Sequence, residues 1–65
     1  MTNEEMKDRV LANFRKTVAE MEQATGELYL QKQWRAIGLL AALNECGLTS
    51  DAEHNKLLLD AHYVS

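Results

Sequence analysis

Four side chains in the last third of this 65-residue sequence have the chemistry of catalysis or metal binding: Cys46, His54, Asp60 and His62. A nucleophilic thiol needs a base within hydrogen-bond reach. His54 can meet that need only if the chain turns sharply after Cys46. The Ser, Thr and Asp residues crowding this stretch are also what turns and helix caps require. The expectation for Cys46 is therefore a buried, inert thiol. As metal ligands, His54 and His62 lie eight residues apart. Along a helix that is about 12 Å, too far for one ion. No Cys-x-x-Cys or His-x-x-x-His spacing is present. The neighbouring acids Glu4–Glu5 and Glu20–Glu22 do not face each other on a helix, so they make poor acid–base pairs. The sequence thus predicts no catalytic residue, no cofactor and no metal, and a small helical chain has little room for a substrate pocket.

Four basic residues, Arg15, Lys16, Lys32 and Arg35, offer a second possibility. If their helices fold back on each other, they share one side of the molecule with Tyr29 and Trp34 nearby. Such a face suits nucleic-acid contact, and it equally suits solvated, snorkelling side chains. The net charge of −3 argues against a polyanionic partner. The stretch LLAALNECGLTSDAEHNKLL has the outline of a helix-turn-helix. However, Leu43 stands where a small residue is needed, and Glu53 and Lys56 stand where apolar ones are. Its second helix carries Asp51, Glu53 and Asp60 against Lys56, a charge balance that phosphates repel. A nucleic-acid-associated regulator remains only the alternative function.

The elements that position these residues are helical throughout. The chain has no proline and three glycines, and Ala, Leu, Glu, Lys, Gln and Met dominate. Helix 1 is predicted over about 3–25. Thr2 and Glu5 have capping-box spacing. Met6, Val10, Leu11, Phe14, Val18 and Met21 form its apolar stripe. Gly26 suits a left-handed residue closing that helix. Helix 2 is predicted over about 28–45, with the stripe Leu30, Trp34, Ile37 and Ala41 widened by Leu40 and Leu43. Its run AIGLLAAL, residues 36–43, has no polar side chain. A helix apolar all round is normally buried on more than one side. Gly47 ends it. Helix 3 is predicted over about 51–63, capped by Ser50, with Leu57, Leu58 and Ala61 inward and Leu59 pointing elsewhere.

These elements predict an all-α protein: an antiparallel helical hairpin plus a short third helix, one small domain spanning 1–65. A domain this small is marginally stable alone. Cys46 is the single cysteine, so no internal disulfide can help. A dimeric helical bundle, a homodimer closing over helix 2, is the device that remains. The residues expected at the interface are Tyr29, Leu30, Trp34, Ile37, Leu40 and Leu43. Trp34 has two readings, a core residue locking helix 2 on helix 1 or the anchor of an interface. No leader or membrane-spanning stretch is evident, so a cytoplasmic location is expected. The function expected is a non-enzymatic protein-interaction module, acting as a regulator, inhibitor or assembly factor through helix–helix contacts.

Overall fold

The computed structural model describes residues 2–64. It holds three helices, α1 (Asn3–Glu22), α2 (Gly26–Glu45) and α3 (Asp51–Asp60), with no strand among the described residues. Two starts follow from their caps. The Glu5 N–H donates to Thr2 Oγ1 at 3.1 Å. The Glu53 N–H donates to Ser50 Oγ at 3.2 Å. In each case a side-chain oxygen satisfies one of the free donors at a helix start.

The ends are less regular. α1 stops at Glu22, three residues before the predicted end. Its last amides turn back early, Gln23 N–H to the Glu20 carbonyl and Ala24 N–H to that of Met21. Gly26 does adopt the left-handed region, at φ +63°, but it opens α2 instead of closing α1. The reversal needs one residue outside helical space, and glycine supplies it without steric cost. α2 ends as expected, with Gly47 at φ +74°. The Leu48 N–H reaches the Leu43 carbonyl at 2.9 Å and the Gly47 N–H reaches that of Asn44 at 3.0 Å. This is a Schellman closure. α3 closes in the same way without a glycine, and ends at Asp60 instead of about 63. His62 takes the left-handed position at φ +58°. The Tyr63 N–H then reaches the Leu58 carbonyl at 3.1 Å. Histidine is among the few non-glycine residues enriched in that region.

Contacts between the helices fix their directions. Lys32, early in α2, pairs with Glu20, late in α1, at 3.2 Å, so these two helices are antiparallel. Lys7 pairs with Glu53 at 3.0 Å, joining the starts of α1 and α3. His62 Nε2 lies 2.9 Å from Glu22 Oε2, joining their ends. α3 therefore runs beside α1 and antiparallel to α2. The core sits between them: Phe14 and Met21 from α1, Ala36, Leu40 and Leu43 from α2, Leu57 and Ala61 from α3. Thr17 is buried with them because its hydroxyl donates to the Asn13 carbonyl at 2.8 Å.

The inward face of α2 differs from the predicted stripe. Ala36, Leu40 and Leu43 point in, whereas Leu30 and Trp34 point out. Residues 36–43 are apolar all round, so hydrophobic period alone could not choose a side. The small Ala36, fully buried in one cluster with Phe14, lets α1 come close. The Cα envelope measures 36 × 25 × 14 Å. α1 and α3 both pack on α2, and among the described residues Leu30, Trp34 and Gly38 on its other side remain exposed.

Candidate functional site

The exposed side of α2 carries large apolar side chains. Leu30 and Trp34 stand four residues apart on it and are 52% and 61% exposed. Gly38 continues the same line and is exposed; Ile37 and Ala41 flank it half-buried. The Trp34 ring meets Tyr63 with centroids 6.3 Å apart and planes tilted by 56°. That tilted geometry is favourable for an aromatic pair.

The closure of α3 puts Tyr63 there. Gln33 Nε2, one position before Trp34, donates to the Ala61 carbonyl at 3.1 Å and to the His62 carbonyl at 3.2 Å. The end of α3 is thereby tied to α2, and the chain beyond it lies alongside Trp34. Asn55, Leu58, Leu59, Tyr63 and Val64 then line a shallow groove of about 260 Å³. Leu59 is 61% exposed, so the apolar surface runs from Leu30 through Trp34 and Tyr63 to the outer side of α3. The accessible surface of the whole chain is 4548 Å². A typical folded monomer of its mass exposes about 4200 Å², so this one shows more surface than its size requires.

Of the six expected interface residues, the structure places Leu30 and Trp34 fully on this face and Ile37 at its edge. Tyr29 is half-buried on the core side, seven residues before Ala36. Leu40 and Leu43 are turned into the protomer's own core, 1% and 2% exposed, and cannot serve an interface. Trp34 is not the lock between helices 1 and 2; Phe14 against Ala36 and Leu40 fills that role. Leu59, read as pointing away from the core, is indeed exposed, whereas Tyr63 and Val64 were missed by sequence reasoning, because helix 3 was expected to run through Tyr63.

The basic residues do not form one patch. Lys16, Lys32 and Arg35 gather around Glu20, whose carboxyl the hydrogen-bonded Lys32 ammonium holds below its usual range. Arg15 lies apart, in a groove with Glu53, Lys56 and Asp60, where both signs of charge are present. Cys46 is exposed, contrary to the expectation of burial, since it caps α2 on the side away from the core. Among the described residues, no cluster of three or more His, Cys, Asp or Glu is placed to hold a metal ion. No helix among the described residues is long and apolar enough to cross a membrane. Comparison with protein-family models, curated proteins and solved structures finds no match for this chain.

Proposed function

We propose that this chain is a non-enzymatic protein-interaction module that works as a homodimer in the cytoplasm, joined through the uncovered face of α2. Its role as a regulator, inhibitor or assembly factor is carried by helix–helix contact and needs no cofactor. The observation behind this reading is the exposed Trp34, packed against Tyr63, with the exposed Leu30 one turn before it. An aromatic anchor in an apolar surround is the usual composition of an interface hot spot. An exposed patch of this kind is uncommon on a protein that stays alone.

Light scattering tests it. The 7.4 kDa chain is expected to give twice its mass at micromolar concentration and above. Trp34→Glu is expected to give a monomer with unchanged helical circular dichroism, because Trp34 lies outside the core. A wild-type monomer at high micromolar concentration sinks the proposal.

A further inference from the structure

The face has a polarity that specifies how it pairs. Its large side chains lie at one end, Leu30 and Trp34 on the first half of α2 with Tyr63 and Val64 beside them. Its small ones, Gly38, Ala41 and Ala42, lie at the other end. Gly38 has no need to be glycine within the chain: it has ordinary helical backbone, and a Cβ there would meet nothing within 4 Å. A mid-helix glycine weakens its helix, so an intrachain explanation for it is lacking, whereas close approach by a second helix supplies one.

Resting on the homodimer reading, we propose that the two α2 helices pair antiparallel about a twofold axis near Gly38, with Trp34 of each copy seated over Ala41 and Ala42 of the other. Size, charge and area support this arrangement. Parallel pairing sets Trp34 on Trp34 and leaves a gap where Ala41 meets Ala41. Antiparallel pairing sets each Trp34 on the small residues of the other copy. Parallel pairing also opposes like charges, Glu27 to Glu27, Arg35 to Arg35 and Glu45 to Glu45. Antiparallel pairing brings the exposed Glu45 about one helical turn from the exposed Arg35 of the other copy. It also opposes the two helix dipoles favourably. Leu30, Trp34, Leu59 and Val64 alone present on the order of 500 Å². With Ile37, Ala41, Tyr63 and a polar rim, the face approaches the roughly 600–800 Å² per subunit that a small stable interface needs.

Cross-linking in a Cys46→Ser background reads the orientation. Gln31→Cys and Glu45→Cys sit seven residues either side of Gly38, on the same side of α2, and both positions are exposed. Neither variant alone is expected to form a disulfide-linked dimer under mild oxidation, and their equimolar mixture is. Gly38→Leu is expected to weaken dimerisation at least tenfold while leaving the dilute protomer's helicity unchanged. A dimer in which each single variant cross-links to itself overturns the antiparallel pairing and leaves the homodimer standing. Monomers at every concentration overturn both.

Discussion

At the scale of single residues, the charged side chains staple the helices together. The pair Lys32–Glu20 joins α1 to the helix that follows it, and Lys7–Glu53 joins α1 to α3, which the chain connects only through α2. The carboxyl of Glu20 titrates below its ordinary range because it accepts a hydrogen bond from Lys32 and feels the same charge, with Lys16 and Arg35 adding to it. A carboxyl depressed in the folded state adds stability above its unfolded value. That stability is lost as pH falls through the window below the ordinary carboxylate range. Glu20→Gln is therefore expected to lose less of its urea midpoint than the wild type between neutral and acid pH. Equal losses would show that the pair is inert. His62 offers a second test. It occupies φ +58°, where a side chain normally costs about 1–2 kcal/mol and glycine costs little. His62→Gly is expected to be about 1 kcal/mol more stable than His62→Ala in urea denaturation, since both lose the contact to Glu22 and differ only in backbone freedom. Cys46, exposed at the end of α2, is expected to react with a thiol reagent in the native protein.

At the scale of elements, α2 is the decisive helix because it is apolar on two sides and can bury only one inside the chain. Leu40 and Leu30 separate those sides with the same side-chain chemistry. Leu40 is buried in one cluster with Phe14 and Leu57. Leu40→Ala is expected to cost about 2–5 kcal/mol at every protein concentration. Leu30→Ala is expected to cost less than about 0.5 kcal/mol in dilute protein, as for an ordinary surface change, and more only where dimers form. Chemical denaturation at two concentrations distinguishes them, and a large cost of Leu30→Ala in dilute protein would contradict the assigned face. This division was only partly legible in the sequence. The helices could be read from composition and caps: Thr2 and Ser50 declare their helices through side-chain oxygens at fixed spacing, and Gly47 declares an end. The inward face of α1 was nearly legible too, through Phe14 and Met21, although Thr17 hid its role behind an intrahelical hydrogen bond. The face of α2 was not. Where eight consecutive residues are apolar, the packing partner chooses the side, and Ala36 was chosen because its small size admits Phe14. The stop of α3 was hidden for a related reason. His62 assumes a conformation that residue type only weakly favours, and Tyr63 was thereby released from the helix to lie against Trp34.

At the scale of the whole molecule, charge and stability point the same way. The net charge of −3 and the division of Arg15 from Lys16, Lys32 and Arg35 leave no continuous cationic face for a nucleic acid. No salt-sensitive mobility shift is expected with duplex or single-stranded nucleic acid at low salt. Such a shift, abolished by Lys32→Glu with Arg35→Glu, would instead support the nucleic-acid reading. Stability gives the more direct test. A chain of this length is expected to hold only about 3–10 kcal/mol of folding free energy. Part of that comes from the second subunit if the homodimer forms, and it then depends on concentration by mass action. A tenfold rise in concentration adds about 1.4 kcal/mol per dimer, or roughly 0.7 kcal/mol per chain. For a domain this small, that raises the melting temperature by about 3–5 °C. Thermal melts of the wild type at 5 and 50 times a common dilution, roughly a decade apart, are expected to differ by this amount, since unfolding separates the subunits. Trp34→Glu is expected to melt at one temperature across the same range, because its protomer core is intact and only the partner is lost. If the wild type is equally insensitive to concentration, α2's bare face contributes nothing to stability, and its function must be sought in a different partner.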